Sequence, residues 1–358
     1  MNEFGTIYRI GIFGSSHGPC VGARVEGCPP GSIVSEAIIQ SELDRRSPGK
    51  GPITTPRRER DRLEIVSGIR NGKATGGPIV GLVRNTDADS SAYDAFLRVP
   101  RPGHADYPAI VKYGGHHDHR GGGIFSGRMT AGLVIGGAIA RQVIDTSGIR
   151  VLAQTVQIGN VSLKKDIPFS VAERIVKANA VGCADRKTAE LMSDEIVKAH
   201  EERDSVGGIV RCTVIGLPVG VGEPFFGSIE SAISAMMFSI PGVKGVEFGS
   251  GFSCASMTGS EHNDQYVVRS GKILTKTNNS GGILGGLSNG MPIEFRVAFK
   301  PTSSIAKPQK SVDIMDKKPV ELEIRGRHDP CIVPRAVPVV ENSAAAVMLD
   351  LMLQGGFI

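Results

Sequence analysis

GRMTAGLVIGGAIARQVID, residues 127–145, decides how the rest of this chain is read. Ala131, Leu133, Val134, Ile135, Ala138 and Ile139 place apolar groups on nearly every face of a helical turn, so the spacing predicts a helix that is mostly buried. A buried helix needs other elements packed around it. Helical spacing recurs over 185–202, where Ala189, Met192, Ile196 and Ala199 oppose Glu190, Glu195, Lys198 and Glu201. Two further helices are read over 228–239 and 339–354, the last ended by Gly355-Gly356. Strands are read over 151–158, 208–216 and 292–299, and Tyr8 to Ile12 is strand-like. Helices and strands mix without regular alternation, which points to an α+β fold rather than a doubly wound sheet. No low-complexity linker divides residues 1–358, so one large domain with long loops is expected.

Composition narrows the function. Hydrophobic residues are 40% and charged ones 22%, as in a packed soluble core. Aromatics are 5% and Trp is absent, which argues against a base-stacking surface. The net charge of +5 comes without a run of like charges, so a small anion is a better partner than nucleic acid. In Arg57-Arg58-Glu59-Arg60-Asp61-Arg62 acids alternate with bases, the pattern of a solvated face. The 47 glycines are about twice the usual share and read as backbone brought close to a ligand. Six scattered cysteines form no C-x-x-C pair and read as free thiols. There is no signal sequence and no long apolar span of membrane type, so a cytoplasmic protein is expected.

Five loops carry the candidate chemistry. His17 follows the first strand between small residues and could protonate a leaving group. Four of the eight histidines fall within residues 104–119, beside Asp106, Arg120 and the Gly121–Gly123 turn. There His104 and Asp106 form a candidate acid–base pair, and Arg120 with the glycine amides a candidate anion site. Arg128 sits at the start of the following helix, where the dipole is positive. A metal site is disfavoured, because His116 and His117 are adjacent and no further ligand completes a set. Arg45 and Arg46 precede a Pro-Gly turn and suit phosphate or carboxylate. Residues 277–290 match neither dinucleotide fingerprint nor P-loop, while Lys300 with Thr302, Ser303 and Ser304 could hold phosphate. Arg325, Arg327, His328, Asp329 and Arg335 read as an anion pocket with a base, and Cys331 as a weaker nucleophile candidate. The residues alone reach an enzyme for a small, multiply anionic, phosphorylated substrate.

Taken in order, these loops resemble chorismate synthase: FGSSHG (13–18), EGCPPG (26–31), LDRRSPG (43–49), RPGHADY (101–107), the RGGG turn, VKGVEFGSGF (243–252), GSEHND (259–264), TNNSGGILGGLSNG (277–290), AFKPTSSI (298–305) and GRHDPCIVPRAVPVVE (326–341). The resemblance covers the whole chain. It implies a helical core between antiparallel sheets, a homotetramer, and conversion of 5-enolpyruvylshikimate 3-phosphate to chorismate by 1,4-anti elimination with reduced FMN and no net redox change. It implies catalytic roles for His17, His104 and Asp329, and substrate binding by Arg45, Arg46, Arg120, Arg327 and Arg335. FMN contacts are implied for Ser126, Arg128, Pro241, Gly242, Gly285, Lys300, Pro301, Thr302, Ser303, Ser304 and Arg327. Arg46 matches a position linked to NADP, with NADPH an indirect reductant; the alternative is a bifunctional enzyme that reduces its own FMN. Ser15 stands where many members carry Glu, Ile124-Phe125 where many carry Arg-Ser, and Pro52 where an Arg is common.

Overall fold

The computed structural model describes residues 2–47, 53–54, 61–86, 90–91, 93–324 and 329–358. Two five-stranded antiparallel sheets form its outer layers. The first comprises β1 (Glu3–Phe4), β2 (Arg9–Gly14), β3 (Cys20–Glu26), β4 (Leu63–Ser67) and β5 (Ile79–Arg84), in the order β1-β2-β3-β5-β4. The second comprises β6 (Arg150–Ile158), β7 (Val161–Ser162), β8 (Gly208–Ile215), β9 (Val243–Phe248) and β10 (Ile293–Phe299), in the order β9-β10-β8-β6-β7. Seven helices of eight residues or more occur among the described residues: α1 (Glu36–Arg46), α2 (Asp106–Tyr113), α3 (Thr130–Asp145), α4 (Phe169–Val176), α5 (Arg186–Glu201), α6 (Ile229–Phe238) and α7 (Val333–Gln354).

α3 lies on β2, β3 and β5; α7 lies on β6 and β8; and the two helices pack on each other. A sheet buries one face and an all-apolar helix must bury every face, so the two helices occupy the space between the sheets. Every residue of α3 except Arg141 and Asp145 is buried. One continuous apolar core joins both layers.

Glycines set how closely the layers approach. A Cβ at Gly132 would lie 2.6 Å from the Gly22 carbonyl oxygen, and one at Gly137 would lie 2.1 Å from that of Asn342. Glycine in a helix costs about 1 kcal/mol relative to alanine, offset here by contacts that a methyl group would block. The glycine excess is thus partly a packing device of the core, as well as a feature of loops.

The helix read over 185–202 is α5, capped by the Asp185 carboxylate accepting from the Thr188 N–H at 3.0 Å. The helix expected at 339–354 begins six residues earlier, at Val333. Pro334 fits the first turn, where no N–H is needed, and Pro338 removes a single helical bond. α7 is long and apolar enough to cross a membrane, but 94% of its apolar window is buried inside the protein. α1 lies outside the spans read from sequence, because its apolar positions are few and Arg45 and Arg46 close its last turn.

Candidate active site

A cavity of about 660 Å³ opens at the end of the sandwich where α3 and α7 both begin, with Thr130, Ile332 and Arg335 in its wall. The volume suits a small-molecule site. The remaining wall comes from Arg46 at the end of α1, the Gly103–Ala105 loop, the turn before α3, the chain leaving α6, and residues 299–304 after β10. Helix N-termini carry partial positive charge, so two long helices opening onto one space favour an anion. The side chains reinforce this: among the described residues Arg46, Arg101, Arg128, Lys244, Lys300 and Arg335 line the cavity, against Asp329 as the one lining carboxylate.

Arg46 and Arg45 are adjacent on a helix, so their side chains diverge by about 100°. Arg46 turns to the cavity side and is fully buried; its Nε and Nη2 donate to Asp61 Oδ2 at 3.0 and 2.7 Å, and Nη1 to Thr130 Oγ1 at 3.2 Å. Arg45 turns into the core, where its Nη1 meets Glu341 Oε1 at 2.8 Å, and Arg141 meets the same oxygen at 2.6 Å. Arg45 is therefore absent from the cavity wall.

Asp61 also holds Arg128, whose Nη1 donates to Oδ1 and whose Nε donates to Asn85 Oδ1 at 3.0 Å. Burial would raise the Asp61 carboxyl, but the two guanidiniums bring it down to about 2. Burial, partly offset by Asp61, together with repulsion from Arg335 and Arg128, lowers Arg46 to about 10. Of the solvated face read over 57–62, residues 57–60 lie outside the described residues, Arg62 is exposed as expected, and Asp61 is instead fully buried. Alternating charge in the sequence does not reveal that Asp61 turns inward.

His104 and Asp106 flank the start of α2, and His104 Nδ1 lies 2.5 Å from Asp106 Oδ1. Arg101 grips the same carboxylate twice, Nε to Oδ2 and Nη2 to Oδ1, each at 2.8 Å. Its Nη1 reaches Ser304 Oγ at 3.1 Å, and its guanidinium lies 4.4 Å above the Phe96 ring. Burial would raise Asp106, but the hydrogen bonds from Arg101 and His104 hold it well below the usual carboxylate range. Arg101 stood within the quoted RPGHADY motif without an assigned role; its signal was proximity to His104 and Asp106.

The Gly121–Gly123 turn holds φ values of +62°, +81° and +53°. Only glycine takes three such residues in succession cheaply. His17 stands behind it: a Cβ at Gly121 would lie 2.2 Å from His17 Cδ2, and one at Gly122 would lie 3.3 Å from His104 Nε2. The turn thus lets both imidazoles approach one stretch of backbone. His17 Nδ1 lies 2.9 Å from Ser90 Oγ, and its ring stands edge-on to Tyr93 at 5.1 Å.

Asp329 faces the cavity and is paired with Arg335, whose Nε also donates to the Arg46 carbonyl at 3.0 Å. Lys300 Nζ contacts Ser303 Oγ at 2.9 Å and the Gly103 carbonyl. Burial and the neighbouring Lys244 lower its pKa. Ser126, Arg128, Pro241, Gly242 and Lys300 through Ser304 all line the cavity. Gly285, in the hairpin of Ile283–Leu284 and Leu287–Ser288, lies outside the wall, as does Arg120, which is exposed and bound to Asp118 at 2.8 Å. Its own neighbour two residues back takes up the guanidinium. Arg327, with Arg325 and His328, lies outside the described residues, as does Pro52. Cys331 is buried and its thiol is pushed up to about 12, so it carries no thiolate to act as a nucleophile.

The family model for chorismate synthase matches residues 8–353. The chain belongs to the chorismate synthase family. Proteins named chorismate synthase match it at 48% identity over 358 residues in Methanothermobacter thermautotrophicus, covering 100% of this chain and 95% of that one. The Korarchaeum cryptofilum protein is 49% identical over 351 residues, covering 98% and 97%, and that of Dehalococcoides mccartyi is 47% identical over 357, covering 100% and 98%. A crystal structure described as chorismate synthase superposes with a TM-score of 0.76 at 27% identity, covering 98% of this chain and 93% of that one. As a chorismate synthase family member the chain is a lyase of aromatic amino-acid biosynthesis, releasing phosphate from 5-enolpyruvylshikimate 3-phosphate to form chorismate.

Proposed function

We propose that this cavity carries out the 1,4-anti elimination with reduced FMN and the enolpyruvyl substrate bound side by side. The observation that carries the reading is the convergence, on one cavity, of six cationic side chains, His104, Asp329 and two helix N-termini. The substrate bears a phosphate and two carboxylates, and Arg46 and Arg335 are assigned to them. Arg45 and Arg120, turned elsewhere, are left out of that set.

The walls fit a flavin mononucleotide. Phe238, Pro241 and Ile332 offer apolar surface to a flat ring, and Thr302 Oγ1 is buried without a partner. A buried hydroxyl in that state calls for a ligand to satisfy it. Ser126, Arg128, Pro241, Gly242 and Lys300 through Ser304 would hold the group. When bound, reduced FMN supplies electron density to the allylic system without net redox change.

The chain's own groups do the rest. His17, outside the cavity wall behind the Gly121 backbone and held by Ser90, is assigned the proton that goes to the departing phosphate. His104 keeps Nδ1 toward Asp106 and presents Nε2 to the cavity as a donor. Asp329, paired with Arg335, assists removal of the C6 proton. The resemblance supports a cytoplasmic homotetramer, and Phe225, Phe226 and Phe252, all more than four-fifths exposed, supply apolar surface for such an interface.

The test is anaerobic turnover of 5-enolpyruvylshikimate 3-phosphate with dithionite-reduced FMN, read as chorismate absorbance. No chorismate under those conditions refutes the reading. A parallel arm with NADPH in place of dithionite decides whether the chain reduces its own flavin. The antiparallel sheets of the described residues offer no strand–helix–strand nucleotide site, so a separate reductase is expected.

A further inference from the structure

Asp61 takes no part in the chemistry above, yet it is a fully buried carboxylate at the back of the cavity wall. Its two oxygens go to different guanidiniums: Oδ2 to Arg46, from the last turn of α1, and Oδ1 to Arg128, from the turn before α3. Both arginines line the cavity. Two like charges on separate elements repel, and Arg335 adds a third nearby; without a shared counter-charge the wall would spread. Asn85 accepts from Arg128 Nε and Thr130 from Arg46 Nη1, so each guanidinium plane is fixed from more than one side.

We propose that Asp61 is a positioning residue that presents Arg46 and Arg128 as one preorganised fork for the anionic groups of the ligands. This rests on the assignment of those arginines to anions made above. It predicts the opposite of plain charge counting. Removing a negative charge from behind an anion site should tighten anion binding by electrostatics alone. If Asp61 acts through geometry, Asp61→Asn weakens binding, because its amide turns a donor toward one guanidinium and frees that side chain from its set orientation.

The experiment is calorimetric titration of the full chain with inorganic phosphate, alongside steady-state kinetics with the enolpyruvyl substrate, for wild type, Asp61→Asn and Asp61→Glu. Expected are a phosphate affinity and a substrate KM each worse by about 10-fold or more in Asp61→Asn, with KM affected more than kcat, and partial recovery in Asp61→Glu. Unchanged or tighter phosphate binding in folded Asp61→Asn overturns the proposal, and so does a wild type that binds no phosphate. If Asp61→Asn does not fold, the charge-balanced pair Asp61→Asn with Arg128→Gln is compared with Arg128→Gln alone. Weaker phosphate binding by the pair than by Arg128→Gln alone supports the proposal, because Arg46 is then released as well, and equal or tighter binding overturns it. A wild type that binds phosphate but makes no chorismate would refute the proposed function while leaving this comparison readable.

Discussion

Asp106→Asn should separate what the Arg101–Asp106–His104 cluster does for the fold from what it does for catalysis. The substitution keeps the shape and removes the charge. Asp106 accepts from the Arg101 backbone N–H at 3.0 Å and from Nε and Nη2 at 2.8 Å each, and meets His104 Nδ1 at 2.5 Å. The Arg101 side chain is only 4% exposed, so it would be left as a buried cation without its counter-charge. Breaking such a pair from one side costs about 3–5 kcal/mol. Unfolding entropy of roughly 2.1 cal/mol/K per residue gives a chain of this length about 0.75 kcal/mol/K, hence a Tm lower by roughly 4–7 °C. The catalytic loss is separate: an amide can face Nδ1 with either its oxygen or its nitrogen, so the imidazole is no longer held in one tautomer. Loss of proper proton donation lowers kcat by roughly 10²- to 10⁴-fold. Scanning calorimetry reads the first effect, and anaerobic chorismate formation with reduced FMN reads the second. The paired variant Arg101→Met with Asp106→Asn, lacking the stranded cation, should regain most of the Tm and none of the rate. Turnover of Asp106→Asn within about 3-fold of wild type, or recovery of rate in the paired variant, would refute the reasoning.

Three further outcomes are expected. Gly121→Ala adds a methyl group 2.2 Å from His17 Cδ2 at a φ of +62°, costs about 1–2 kcal/mol of backbone strain, and should lower kcat more than 10-fold; a variant as active as wild type in the same assay would show that His17 need not hold its place. Asp329→Asn should reduce kcat more than it raises the substrate KM, and an effect confined to KM would speak against proton removal. Stability should fall in acid: Asp61 stands at about 2 against 3.8 for a free aspartate, so its contribution is complete above about pH 4 and disappears as the pH drops through 2. Asp106 and Glu341 are held low by their own cations and act in the same sense, so a Tm that stays flat from pH 5 to pH 2 would contradict the buried pairs.

The second sheet was legible because β6, β8 and β10 carry unbroken apolar patterns, and each falls within a residue or two of the span read from sequence. The first sheet was largely hidden. Gly11, Gly14, Gly22 and Gly81 interrupt its strands, and glycine scores as a breaker whether it marks a turn or a close contact. At Gly22 and Gly81 the cause is proximity: a Cβ at Gly22 would lie 2.4 Å from the Gly81 carbonyl oxygen, and one at Gly81 would lie 2.9 Å from Ile135. The start of α7 was obscured by Pro334 and Pro338. For the site, the motifs placed His104, Asp329, Arg335 and the Lys300–Ser304 run on one cavity. They could not tell Arg46 from Arg45, since that depends on the phase of a helix that the local pattern does not announce. Asp61 and Arg101 were missed because their importance lies in partners brought together by the fold.

The contact of Gly137 with the Asn342 backbone reaches further than the core. α3 meets the α7 backbone there with no side chain of its own at the contact, and the same two helices carry Thr130 and Arg335 to the wall of the cavity. The gap between those rods is therefore an aperture setting, fixed by the hydrogen atom that Gly137 carries in place of a side chain. Widening the mouth by inheritance would require the rods themselves to part, because a side chain at position 137 meets main chain of α7 that no substitution can trim.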